Sequence, residues 1–242
     1  MKAEDFTLDQ WSKKEYGRLL KYLRAEAEDE YRQFHSRLIP DCGEMLGVRM
    51  PKLRALGKRI VQGNWREYLN VFQNGIFEER VLRGVVIGLA PVNADELRAL
   101  ADGYIPLINN WALCDYFCSG LKRVKKFEKE FLPNVREYLA SDSPWYRRAG
   151  LVFLLGYYVK KEYLDDIFSW AEQTVCEHYY VQMAHAWLIA ECYTKFPEET
   201  YAYLTGCCLN QEILNKAVQK IRDSYRVDEI WKERALVFRR KK

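Results

Sequence analysis

Apolar residues recur along nearly the whole chain at the three- and four-residue spacing of a helix face, with no run at the alternating spacing of a strand. Residues 8–36 read as one or two helices, with Leu19, Leu20, Leu23, Tyr31 and Phe34 as apolar positions and Glu26–Glu30 as an acidic, solvated turn of helix. Pro51 opens a helix that turns Leu53, Leu56, Ile60 and Val61 inward and shows Lys52, Arg54, Lys58 and Arg59 on its other face. Gly63 and Asn64 end it, and Trp65 begins the next. Further helices are predicted at about 64–74, 77–89, 94–102, 110–121, 127–140, 144–158, 161–174, 178–194, 198–207, 210–224 and 227–238. Short helices in this number, with short breaks, predict an all-α stacked array whose repeat is ~40–47 residues if it is of the HEAT type. The expected organisation is one domain over 1–242, with first helices at 6–45 as a cap and repeats over about 50–238.

Composition agrees. Glycine (13) and proline (7) are scarce, and the prolines fall at expected helix starts or connections, which leaves little room for sheet. Charge adds a permissive term only: 38 basic against 34 acidic residues allow an anionic partner without demanding one. No apolar run reaches the ~18 residues of a membrane span, and Met1–Asp5 lacks the apolar core of a signal peptide, so a cytoplasmic monomer with no membrane contact is expected. Seven cysteines without a CxxC pair read as reduced, buried thiols. His35, His178 and His185 have no ligand spacing, so neither a metal nor an organic cofactor is expected.

Candidate chemistry concentrates in four stretches. In Asn109-Asn110-Trp111-Ala112-Leu113-Cys114-Asp115, either asparagine suits a helix N-cap, and Trp111 and Asp115 then share a face. Asp115 sits among apolar neighbours beyond the first turn, so it either pairs with an arginine or lines a cleft. Ser143-Pro144-Trp145-Tyr146-Arg147-Arg148 offers an N-cap serine, proline at N1 and two guanidinium groups, suited to an anion or to pairing with Asp115 or Asp142. Tyr179–Trp187 places Trp187 in an apolar helix, where a core position is the ordinary outcome, and His185 reads as a partly buried, hydrogen-bonded histidine. Lys122–Lys126 and Arg239–Lys242 are basic clusters, and Lys216, Lys220 and Arg222 form a basic helix face near Arg226. Trp111 to Arg148 is 37 residues and Arg148 to Trp187 is 39, close to one repeat, which would project these side chains to the same side of a solenoid.

Leu46–Pro51, Trp111–Asp115, Trp145–Ala149, Tyr179–Trp187 and Asn215–Ile221, taken together and in order, resemble the DNA alkylation repair family of HEAT-like-repeat alkylpurine DNA glycosylases. The resemblance implies a right-handed superhelical α-α solenoid, a crescent that cradles duplex DNA and removes cationic N3- and N7-alkylated purines. It implies Asp115 as the catalytic carboxylate, Trp111 and Trp187 as aromatic walls, and Arg148 as the phosphate-side cation, with Arg147 and Lys220 as further DNA contacts. The chain departs from the family pattern at Met183 and Ala190, where a lysine and an arginine are common, and at Leu38, where an active-site tyrosine is expected. Those departures fit a side branch. A non-catalytic module for branched or distorted DNA, and a protein-binding solenoid, stand as the alternatives.

Overall fold

The computed structural model describes residues 2–174 and 177–239. Among these residues there is no strand, and helix accounts for 76%. The chain divides into two compact units, Met1–Lys126 and Phe127–Lys242.

The first unit holds α1 (Lys13–Ala25), α2 (Asp29–Leu38), α3 (Met50–Gln62), α4 (Trp65–Val71), α5 (Phe77–Leu89), α6 (Ala94–Tyr104) and α7 (Trp111–Gly120). Alternate helices stack, α3 on α5 and α5 on α7, as in an α-α solenoid. The seam is held by the predicted inward positions: Leu53, Leu56 and Ile60 of α3 and Val86 and Ile87 of α5 are buried. Two glycines bring the elements close. A Cβ on Gly88 would lie 2.8 Å from the carbonyl oxygen of Gly120, so only glycine lets α5 approach the end of α7. Gly47 has φ +88, and a Cβ there would meet the Glu28 carbonyl at 2.6 Å.

That contact corrects one expectation. Residues 26–30 are not a turn of helix; they are the break between α1 and α2, with Glu26 capping one and Glu28 starting the other. The Glu28 amide donates to the Gly47 carbonyl at 3.2 Å. Lys52 pairs with Glu26 and Glu28, and Arg49 also reaches Glu28. Asp29 and Glu30 then fall in the first turn of α2, where acids favour the helix dipole.

The second unit holds α8 (Glu128–Ala140), α9 (Pro144–Phe153), α10 (Leu164–Gln173), α11 (Tyr179–Lys195), α12 (Pro197–Gly206), α13 (Gln211–Asp223) and α14 (Glu229–Ala235). Here α9 packs on α8 and α11, and α11 on α13, with Ala186, Ile189, Ala190 and Tyr193 buried against Ile213, Ala217 and Ile221. The helix expected to run to residue 158 is α only to Phe153 and continues as a π-turn over Leu154–Tyr158. Pro133 is not at a helix start but inside α8. It is tolerated because both Pro133 and Lys129, whose carbonyl loses its amide partner, are exposed to water. No helix among the described residues is long and apolar enough to cross a membrane. Six cysteines are free thiols, four of them buried; Cys176 lies outside the described residues, as do residues 240–242 of the basic C-terminal cluster.

Candidate nucleic-acid interface

The segment between α2 and α3 forms no helix, so its backbone groups must find partners elsewhere. They find them in α5 and in Asn109, just before α7. Glu78 is buried, and its carboxylate accepts from the amides of Leu46 (3.0 Å), Gly47 (2.7 Å) and Val48 (3.2 Å). Arg80 donates through Nη2 to the Cys42 carbonyl at 2.6 Å and through Nη1 to Asn109 Oδ1 at 2.9 Å. Asn109 Nδ2 donates to the Asp41 carbonyl at 2.8 Å, and Asp41 itself is left-handed, φ 58. Trp111 Nε1 donates to the Leu38 carbonyl at 2.9 Å.

This network sets the start of α7. Asn110, buried, is the N-cap: its Oδ1 accepts from the Leu113 amide at 3.0 Å and its Nδ2 donates to Asn109 at 2.9 Å. Asn109, the other candidate cap, is the tie to Arg80 and Asp41. Ala112, Leu113, Cys114, Phe117 and Cys118 all turn into the core, whereas Trp111, Asp115 and Tyr116 remain half-buried. The apolar neighbours of Asp115 in sequence are thus not its neighbours on the helix surface. Asp115 shares a face with Trp111 one turn away, and its carbonyl accepts from Ser119 Oγ at 2.6 Å. Beside it, the Tyr116 hydroxyl hydrogen-bonds His35 Nε2 at 3.3 Å. Burial raises the Tyr116 pKa, with Tyr31 and Asp115 adding to it, and burial lowers that of His35.

In the second unit, Arg148 is buried and donates from Nη1 to the Tyr180 carbonyl at 2.5 Å, with its guanidinium 5.9 Å from the Tyr180 ring. It therefore braces the first turn of α11. Arg147 donates to the Ser141 carbonyl at 2.5 Å and pairs with exposed Asp142 at 3.6 Å. Ser143 stands at the N-cap position of α9, yet its side chain makes no cap bond.

Trp187 does not take the core position ordinary for an apolar helix: it is 38% exposed, and Lys220 Nζ lies 6.0 Å from its ring. One turn-pair earlier, exposed Tyr179 has Lys216 Nζ at 4.7 Å. Next to Trp187 a cavity of about 300 Å³ is lined by Ala190, Glu191, Thr194, Lys220 and Arg226. Ala190 belongs to the core of α11 against α13, so no cation reaches out from that turn. Arg226 lies in the turn after α13 and pairs with Glu191, which raises its pKa. His185 is the clearest departure: it is fully buried rather than partly so, and neither ring nitrogen has a hydrogen-bond partner among the described residues. Burial lowers its pKa to about 4.

Buried Glu78 and Arg80, which tie the segment after α2 together with exposed Asn109, were not singled out from the sequence. Their signal was the run Glu78-Glu79-Arg80 at the head of an otherwise apolar helix, a pattern that needs buried partners. Among the described residues, no cluster of His, Cys, Asp or Glu side chains is arranged to hold a metal.

A search of curated proteins finds no match to this chain. A family model described as DNA alkylation repair enzyme matches residues 19–222, a span that includes Trp111, Asp115, Arg148, Trp187 and Lys220, and the chain belongs to the DNA alkylation repair family.

Proposed function

We propose that the protein is a DNA glycosylase that hydrolyses the N-glycosidic bond of N3- and N7-alkylated purines in duplex DNA, with no metal or organic cofactor. The observation that carries this reading is the face of α7: Trp111 and Asp115 stay accessible, one turn apart, on a helix start fixed by Asn110, Asn109 and Arg80, in a chain of a DNA repair family. A rigid support of this kind is what a site needs when it works by positioned charge.

An N3- or N7-alkylpurine carries a positive charge and leaves as a neutral base when the C1′–N bond breaks, so no general acid is required. The sugar is left as an oxocarbenium ion. The Asp115 carboxylate stabilises that charge and orients the water whose oxygen bonds to C1′, and the added water then releases one proton to solvent, leaving the C1′ hydroxyl. The Trp111 ring holds the cationic lesion by cation–π attraction, worth about 0.5–2 kcal/mol. Trp187, Lys220 and Arg147 are further DNA contacts in this reading. Arg148 acts in this reading chiefly by fixing α11 through Tyr180, since a buried guanidinium braced on a carbonyl is poorly placed for open phosphate contact.

A second reading has an observation of its own. With Ala190 in the core and Leu38 in place of a tyrosine, the site has fewer polar groups than the family pattern, which suits a module that binds distorted DNA without cutting it. Incubation with N-methylated duplex DNA and assay for free 3- and 7-methylpurines separates the two. Release of bases supports the glycosylase; tight, salt-sensitive binding without release supports the binding module.

A further inference from the structure

We propose that the seam between α11 and α13 carries a row of cations, Lys216, Lys220 and Arg226, that grips successive phosphates on one strand of duplex DNA. The inference deepens the DNA-binding part of the reading above and rests on it. The row follows from how the two helices pack. Ala217 and Ile221 of α13 are buried against α11, which leaves Lys216 and Lys220, each one residue earlier, at the edge of the seam. They are four residues apart and share a face of the helix. Arg226 comes in the turn after α13, where its amide donates to Ser224 Oγ at 3.2 Å.

Each cation has its own support on α11. Lys216 Nζ stands 4.7 Å from the exposed Tyr179 ring, and Lys220 Nζ stands 6.0 Å from the Trp187 ring. One turn beyond Trp187, the Glu191 carboxylate accepts from Nη1 and Nη2 of Arg226. A π face holds an ammonium in place and leaves its charge intact. The carboxylate takes one N–H from each Nη, so the Nε–H and the other Nη hydrogens of Arg226 remain for a second acceptor. Lys195 pairs with the same carboxylate at 3.6 Å, so Glu191 meets two cations and does not cancel the positive charge around it. Lys220 and Arg222 also occupy the last turn of α13, where the helix dipole favours cations.

Spacing and charge select the occupant. Four residues of α13 advance ~6 Å. Each strand of a duplex offers one negative charge per ~3.4 Å of helix axis, and a longer step along the strand itself. An acidic protein surface would have to place its carboxylates at that step, whereas a phosphate backbone repeats it whatever the sequence. Lys220 and Arg226 both line the cavity of about 300 Å³ beside Trp187, with Ser224 in its wall, so one phosphate there meets both cations. Arg148, buried and braced on a carbonyl, supplies no such contact; α13 and the turn after it do.

The test places one neutral methylphosphonate at a time along each strand of a duplex with a single 3-deaza-3-methyladenine, which resists excision. Affinity is measured by fluorescence anisotropy for wild type and for Lys216→Ala, Lys220→Ala and Arg226→Ala, with release from a 7-methylguanine duplex assayed in parallel. Wild type is expected to lose about two- to fivefold at successive positions of one strand. Each variant should be insensitive at one of those positions, in the order 216, 220, 226. Tyr179→Leu keeps every charge and should blunt the Lys216 position alone. The triple variant should lower the slope of log affinity against log salt by about three units, ~0.9 for each phosphate. Arg226→Ala leaves Glu191 paired with Lys195, and unchanged circular dichroism confirms the fold. Losses scattered over both strands overturn the row, as do variants that stay sensitive at every position or a triple variant with the wild-type slope. Release of 7-methylguanine without the footprint sinks the row alone, and the footprint without release sinks the glycosylase reading alone. Wild type that binds no DNA sinks both.

Discussion

Replacing His185 by leucine should make the protein markedly less sensitive to mild acid. His185 is fully buried two residues before Trp187, with no hydrogen-bond partner among the described residues for either ring nitrogen. Burial disfavours the imidazolium and lowers the pKa from 6.5 to about 4. Between those values the unfolded chain binds a proton that the folded chain does not, so stability is full above pH 6.5 and declines as pH falls toward 4. The whole interval corresponds to about 3 kcal/mol, and the drop from pH 8 to pH 5 to about 2 kcal/mol. Urea unfolding of wild type and His185→Leu at pH 8 and pH 5 isolates this contribution, because every other titrating group is common to both. Wild type should lose about 2 kcal/mol more than the variant. Leucine also removes two unpaired polar atoms, so the variant should be at least as stable at pH 8. Equal losses in the two proteins would refute the reasoning and show that the imidazole is paired or hydrated.

Three further outcomes follow from the same contacts. Glu78→Gln removes the charge that all three amides of Leu46, Gly47 and Val48 meet and turns an NH2 donor toward at least one of them, so it should cost about 1–3 kcal/mol in urea unfolding. Gly88→Ala drives a methyl group against the Gly120 carbonyl, so it should destabilise by about 1–3 kcal/mol and slow base release through displacement of α7. Lys220→Ala should weaken duplex binding and reduce the salt slope by about one unit in fluorescence anisotropy, without changing the single-turnover excision rate at saturation.

The helix order was legible because nearly every element shows a helical period and a recognisable boundary. Asn110 before Trp111, Asn64 before Trp65 and Pro144 at the start of α9 all mark ends that the structure keeps. Boundaries failed where tertiary partners decide: the acidic run broke because Gly47 and Lys52 engage it, and Pro133 stayed in α8 because water serves the freed carbonyl. Candidate site residues were legible as types in sequence, but not their surroundings. Nothing local says that Arg148 is spent on a carbonyl, that Trp187 faces water while His185 does not, or that Glu78 and Arg80 of α5 and Asn109 just before α7 hold the segment after α2. Those facts depend on which helices meet, and single-sequence periodicity fixes only which face of each is apolar.

The most direct measurement is the single-turnover rate of 7-methylguanine release from duplex DNA by wild type and by Asp115→Asn, with duplex affinity measured on both. The amide keeps the shape and removes the charge, so the loss should fall on the transition state. The expected result is a rate lower by about 10²–10³, or ~3–4 kcal/mol, with affinity nearly unchanged. Equal rates for the two proteins would make the carboxylate structural and contradict the proposed chemistry.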